Sequence, residues 1–425
     1  MSAMKRYIIT TVALSLLFVA CRKEADYIPY PGENGKLAYS NYTEQFQYIW
    51  KVLSTGYVFW DVDTVDWDAA YDHYLPLFEA LDQKYEDSGY VRTDELDSLY
   101  KGLVGKMRDH HMMFVVKNLH PASGDVYPLS IIRPGLTEVD DCDYYIESRS
   151  TTQSSMKAFL SSIESLYTVT EHLTGESYIP EFGTTVHYEY CLFTLADGRQ
   201  VPYLWTSNAA ITPVMRDMAG SASYAAIDRW LTVACTTPRA QLAGIILDNR
   251  SNGGGYQDDL DYLVGSFINE RIEIFKTRYK EGPGRLEYSA WCPYYQNPNP
   301  NYHRDITAEN IPYAVLIDIN SVSMGEVEPM VIKGVFPTAH IIGERTYGGT
   351  GPLQNDAVDL NYGAPFGDYN AYHHYVYTST FESLMCGKVL EGIGLAPDEE
   401  VLRIDDPAHS LQPQLDAALN YLLAH

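Results

Sequence analysis

The chain has 425 residues, 46% hydrophobic and 20% charged, an ordinary balance for a folded protein and enough length for two or three domains around a large core. Its formal charge of −26 argues against nucleic acid as a partner. Apart from Cys21, the five cysteines (Cys142, Cys191, Cys235, Cys292 and Cys386) are widely spaced, odd in number and form no C-x-x-C pair, which argues against a disulfide scaffold and a zinc site; most are expected in the core, with one or two disulfides as the alternative.

At the N-terminus, Lys5 and Arg6 precede an apolar run from Tyr7 to Ala20 that ends in Leu17-Phe-Val-Ala-Cys21. A spanning helix needs about 20 apolar residues, and this run is shorter. It resembles a bacterial lipoprotein signal, which implies cleavage after Ala20 and acylation of Cys21; an ordinary signal peptide with a chance cysteine is the alternative. Residues 1–20 then form the signal and 21–37, polar with prolines and glycines, a tether. The expected location is the cell envelope, with lipid at Cys21 holding the protein to a membrane on a periplasmic or outward-facing surface.

Residues 38–114 read as a helical bundle. Phe46, Ile49, Trp50, Leu53 and Tyr57 recur at helical spacing behind a cap at Asn41. Asp66 caps a second helix with Trp67, Ala70, Tyr71, Tyr74 and Leu77. Thr93 caps a third with Leu96, Leu99, Tyr100, Leu103 and Met107. Residues 115–205 are less legible: a helix within Ser155–Leu166, then a hairpin from His187–Leu195 and Gln200–Trp205 across Ala196-Asp-Gly198. From 206 to 425 strands and helices alternate, the pattern of an α/β layer structure. Ile227–Val233 and Asp258–Ile268 read as helices, and Gly244–Leu247 and Tyr313–Ile319 as buried strands.

Two strand-turn-helix segments carry the candidate chemistry. In the first, Ala243-Gly-Ile-Ile-Leu-Asp-Asn-Arg-Ser-Asn-Gly-Gly-Gly255, a buried strand runs into a glycine turn with accessible N–H groups. No Lys-Ser/Thr follows and the G-x-G-x-x-G spacing is missing, so neither a Walker loop nor a dinucleotide turn fits. In the second, Ser323 stands where a strand becomes a helix, placed for the helix N-terminus to favour developing negative charge. Ser323 and Glu326 also have capping-box spacing, so a purely structural cap is the competing reading. Asp248 and Arg250 are expected to brace the glycine turn, and Glu326 and Glu344 the serine helix.

LDNRSNGGG, VLIDINSVSMGE and IIGERTYGGTG, with the closing run Gly387 to Val401 and Pro413 to Leu419, resemble the tail-specific or C-terminal processing protease family, which includes the tricorn-core proteases. The resemblance implies an N-terminal helical bundle on a ClpP- and crotonase-like α/β protease core, acting on peptides or proteins with no metal or organic cofactor. It places the nucleophile on Ser323 and, through the L-x-D-x-H motif at Met107-Arg-Asp-His-His111, the general base on His111. Gly254 and Met324 would offer oxyanion N–H groups. One branch of the family has a lysine base where this chain has Gly349; the histidine variant adds a carboxylate, here Glu391, acting through the residue before the base, here His110. Many relatives carry a PDZ domain, and 115–205 shows no PDZ signature, so this stretch is read as an insertion or a diverged PDZ-like region. The resulting expectation is an exported serine endopeptidase. An inactive peptide- or ligand-binding lipoprotein of the same fold, or an esterase using the same serine, are the alternatives.

Overall fold

The computed structural model of the chain describes residues 39–125, 129–132, 153–282, 284–353, 374–404 and 410–425. The signal, Cys21, the tether and Cys142 lie outside the described residues. Helices α1 (Tyr42–Gly56), α2 (Trp67–Ser88) and α3 (Thr93–Val104) form the bundle. Asn41 accepts the Glu44 N–H and Asp66 the Ala69 N–H, so both expected caps are present. Thr93 is instead the first helical residue, and its hydroxyl binds Asp125. The bundle core is aromatic: Phe46 stacks on Phe78, and Trp50 stacks on Trp67 while donating to its carbonyl at 2.9 Å. Phe78 and Leu81, rather than Leu77, complete the buried face of α2, leaving Leu77 exposed.

Strands β1 (Met113–Lys117) and β2 (Leu129–Ile132) follow the bundle, and the later β11 (His374–Tyr377) joins them in the antiparallel order β11-β1-β2. After α4 (Gln153–Ser161) come β3 (Val169–Ile179), β4 (Thr184–Thr194) and β5 (Gln200–Thr206). The expected hairpin is β4–β5, but β3–β5 are not a separate unit. They continue the central seven-stranded sheet, whose order is β13 (Glu399–Glu400), β10 (Ala339–Gly343), β9 (Tyr313–Ile317), β6 (Ile245–Asp248), β5, β4, β3. The apolar alternation of β4 and β5 is what buries them between two layers, with Tyr188, Tyr190, Leu192 and Leu204 packing on one face and Cys191, Phe193, Val201 and Tyr203 on the other.

The rest of that sheet is parallel: β6 (Ile245–Asp248), β9 (Tyr313–Ile317), β10 (Ala339–Gly343) and β13 (Glu399–Glu400). Runs such as IILD and YAVLI are buried at every position, as strands covered on both faces must be. Helix α5 (Ala222–Thr236) covers one face, where Trp230 is fully buried, and α7 (Gln412–Ala424) covers the other. A small sheet of β7 (Ile272–Arg278), β8 (Cys292–Gln296) and β12 (Glu382–Leu384) flanks the core. Asp258–Ile268 is not one helix: the segment divides into short turns at Gln257–Asp259, Leu260–Leu263 and Gly265–Phe267. No described helix is long and apolar enough to cross a membrane.

Four described cysteines are unpaired; Cys191 is buried, but Cys292 and Cys386 are exposed, against the expectation that most lie in the core.

Candidate active site

Strands β6, β9 and β10 are parallel neighbours, so the loops leaving their C-terminal ends meet. These loops are the glycine turn, the Ser323 turn and residues 344–351, and ligands of open α/β sheets bind at such strand ends. The first two are knitted together by main-chain polar groups. Val322 N–H donates to Asn252 O at 2.9 Å, Ser251 N–H to Asp318 Oδ1 at 3.0 Å and Ser321 Oγ to Asn249 O at 2.7 Å. The approach is close enough that a side chain at either of two glycines would push the turns apart. A Cβ on Gly325 would lie 2.4 Å from Asn252 O, and one on Gly254 would lie 2.5 Å from Ser323 Cβ; Gly254 also has φ +85°.

Ser323 begins helix α6 (Met324–Val335) with φ 57° and ψ −120°. A left-handed conformation costs a serine on the order of 1–3 kcal/mol and persists where its surroundings over-determine it, as at nucleophile turns between strand and helix. The surroundings here centre on Glu326. Its buried carboxylate accepts the Ser323 N–H at 3.2 Å, the Gly348 N–H at 2.7 Å, the Gly349 N–H at 2.8 Å and the Thr346 hydroxyl. Glu326 therefore clamps the 344–351 loop to the serine turn, a fuller version of the bracing role expected for it. Burial pushes its carboxyl up to about 7, against these hydrogen bonds. Glu344 takes the Arg403 N–H at 3.1 Å.

Asp248 and Arg250 form a fully buried ion pair behind the turn. Arg250 Nη1 reaches Leu411 O at 2.8 Å and Gln414 Oε1 at 3.0 Å, and Tyr203 OH donates to Asp248 at 2.7 Å. The pair thus ties the glycine turn to α7.

His111 arrives from another part of the chain, the turn before β1. It lines a cleft of about 690 Å³ together with Ser323, Met324, Gly253, Gly254 and Gly255, and apolar side chains including Phe182, Tyr256 and Phe275. Its Nδ1 is buried without a hydrogen-bond partner, and burial, helped by His110, lowers the imidazole to about 4. It is therefore neutral near pH 7 and able to accept a proton. Gly349 packs on the ring: a Cβ there would lie 3.3 Å from His111 Cε1.

Behind His111 lie two buried carboxyls. One ring nitrogen of His111 and one oxygen each of Asp109 and Glu391 lie within 4.8 Å of one another. Asp109 accepts the His111 N–H at 2.9 Å and binds both the N–H (2.6 Å) and hydroxyl (2.9 Å) of Ser379. Glu391 accepts the His110 N–H at 2.8 Å, the Thr350 N–H at 2.5 Å and the Gly351 N–H at 2.6 Å. Burial raises both groups, Asp109 to about 6 and Glu391 well above the usual carboxylate range, and Asp109's charge pushes Glu391 further.

Two expectations need correction. Glu391 does not act through the His110 imidazole, because that ring turns away and its Nδ1 lies 2.9 Å from Tyr347 O; Glu391 holds His110 only by its main chain. The Gly254 N–H is already committed, donating to Asn252 Oδ1 at 2.9 Å, whereas Met324 N–H is the first of α6 and has no acceptor within the helix. Asp109 and Ser379 were not singled out by sequence. Asp109 is the acid of the L-x-D-x-H motif and was available to be found; Ser379, 270 residues away, carried no signal.

An α/β core that brings a serine turn, a neutral histidine and a glycine turn to one cleft is the core of a serine hydrolase. Residues 223–401 match the model of peptidase family S41, which bears out the resemblance to the tail-specific proteases and indicates a serine peptidase. No curated protein matches. Among solved structures, a protein from Parabacteroides merdae provisionally described as a peptidase is 20% identical, with a TM-score of 0.59 over 91% of this chain and 98% of its own. The structure of mature CPAF complexed with lactacystin is 14% identical, with a TM-score of 0.52 over 90% of this chain and 98% of its own. At these identities the two structures speak for the shared fold.

Proposed function

We propose that this protein is an exported endopeptidase that cleaves peptide bonds through an acyl-enzyme on Ser323. His111, with Nδ1 turned inward, takes the Ser323 proton on Nε2 as Oγ attacks the peptide carbonyl. It returns that proton to the leaving amine, and water then releases the acyl group by the same route. The imidazolium formed in each half-reaction lies beside Asp109, whose charge favours it. The oxyanion is held by Met324 N–H, helped by the dipole of α6. Acylation at Cys21 would hold the enzyme to a membrane of the cell envelope.

The observation that carries this reading is the convergence of Ser323, His111 and the glycine turn on one cleft, from segments that span more than 200 residues of sequence. Fluorophosphonate labelling tests it. Wild-type protein is expected to label, Ser323→Ala not at all and His111→Ala far more slowly. A folded wild type that does not label overturns the mechanism and favours a ligand-binding role for the same cleft.

A further inference from the structure

We infer that Asp109, His111 and Glu391 form an inhibitory site for a zinc-type divalent cation. The adjacent histidines 110 and 111 make a poor chelate from sequence alone, but the fold sends His110 to Tyr347 and supplies two carboxylates to His111 instead. Imidazole and carboxylates are a standard ligand set for zinc, with bonds of about 2.0–2.2 Å and ligand atoms then about 3.4 Å apart. The three atoms here lie within 4.8 Å of one another, so closing around an ion needs only side-chain adjustment.

Two further features point the same way. The buried His111 Nδ1 has no hydrogen-bond partner, so a ring nitrogen is left to ligate an ion. The shell around the carboxylates is already built: Ser379 orients Asp109, and the N–H groups of His110, Thr350 and Gly351 orient Glu391. Glu391 Oε1 accepts one hydrogen bond, leaving it a lone pair for a metal.

The chemical consequence is inhibition. A cation on Nδ1 fixes the tautomer with the proton on Nε2, and that nitrogen can no longer take the Ser323 proton. Binding of the ion is independent of catalysis; its inhibitory effect rests on the mechanism proposed above.

The test is titration of purified Ser323→Ala protein with Co²⁺, read by the visible d–d absorption of the bound ion. A stoichiometric spectrum displaced by Zn²⁺ is expected. Loss of an outer-shell partner alone weakens metal sites about 10- to 100-fold, so Glu391→Gln or His111→Ala in the same background is expected to weaken binding by at least that much. His340→Ala, removing a surface histidine near Asp398 and Glu399, is expected to change nothing. No spectrum, or a spectrum that survives both Glu391→Gln and His111→Ala, overturns the site. If Glu391→Gln fails to fold, His111→Ala decides. In the wild type, Zn²⁺ is expected to slow fluorophosphonate labelling and EDTA to restore it; zinc that binds yet leaves the labelling rate unchanged overturns the inhibitory role. A wild type that never labels refutes the acylation mechanism, while the Co²⁺ titration, which needs no turnover, still decides the site.

Discussion

Replacing Glu326 by glutamine changes the clamp by one atom and its pH response altogether. The carboxylate takes Gly348 N–H and the Thr346 hydroxyl on Oε1, and Ser323 N–H and Gly349 N–H on Oε2. A glutamine that keeps its oxygen toward Ser323 and Gly349 turns an NH₂ toward Gly348, so donor faces donor. One buried N–H left without an acceptor costs about 1–3 kcal/mol. The wild-type carboxyl has a price of its own, because burial raises it from an ordinary 4.5 to about 7. The unfolded chain releases this proton as pH rises through 4.5, whereas the folded chain keeps it until about 7. Its stabilising contribution is therefore fully present below 4.5 and lost as pH rises through 7. Over that window the loss is of order 3 kcal/mol. Glutamine has no such loss, so Glu326→Gln is expected to be destabilising near pH 5 and close to neutral near pH 8. Denaturant unfolding of both proteins at the two pH values measures the gap. A gap that widens with pH, or does not move, refutes the assignment of Glu326 as a carboxyl raised by burial.

Gly254→Ala is expected to leave a folded protein whose labelling rate falls by about 100-fold or more, because the new Cβ would sit 2.5 Å from Ser323 Cβ and displace it; labelling kinetics beside a melting curve checks this. Arg250→Met strands the Asp248 charge in the core and is expected to cost about 3–5 kcal/mol, with faster hydrogen exchange in α7 because the bonds to Leu411 and Gln414 are lost. With His111 lowered to about 4, it stays neutral and competent down to that pH, so the acid limb of the labelling rate is expected near 4, below the ordinary 6.5; a midpoint at or above 6.5 contradicts the buried-base assignment.

Much of this was legible because short-range patterns and long-range contacts happened to agree. The apolar runs Ile245–Leu247 and YAVLI read as buried strands, and the glycines after one and the serine after the other mark the sharp turns that parallel neighbours bring together. Caps at Asn41 and Asp66 are local chemistry and were readable for the same reason. The segment before residue 206 was harder, since β3–β5 declare themselves as strands but not as members of the same sheet as β6; that depends on the pairing of Tyr203 with Ile246. The relay failed for a related reason. Sequence order placed His110 between Glu391 and the base, yet adjacent residues project differently, and the carboxylate found the main-chain N–H while Asp109 took the place beside the ring. Likewise, nothing in a glycine turn reveals that an asparagine two residues earlier folds back onto Gly254 N–H.

Position 349 bears most directly on which base the site can use. The chain resembles a family with a lysine branch and a histidine branch, and Gly349 stands where the lysine would be. In the structure this glycine is not simply a lost lysine. A Cβ there would lie 3.3 Å from His111 Cε1 and 3.5 Å from Nδ1, with Tyr347 Cδ1 at 3.2 Å on its other side. The first atom of a lysine side chain would thus press on the imidazole, and its remaining methylenes would compete for the space the ring holds. The two bases crowd each other, so the absence of a side chain at Gly349 suits the histidine base. Gly349→Lys is then expected to displace His111 and depress labelling, as overpacking at a close-packed site does. Gly349→Lys combined with His111→Ala removes the obstacle and is expected to label faster than Gly349→Lys alone. If Gly349→Lys instead labels as well as wild type with His111 intact, the two side chains coexist and the crowding argument is wrong.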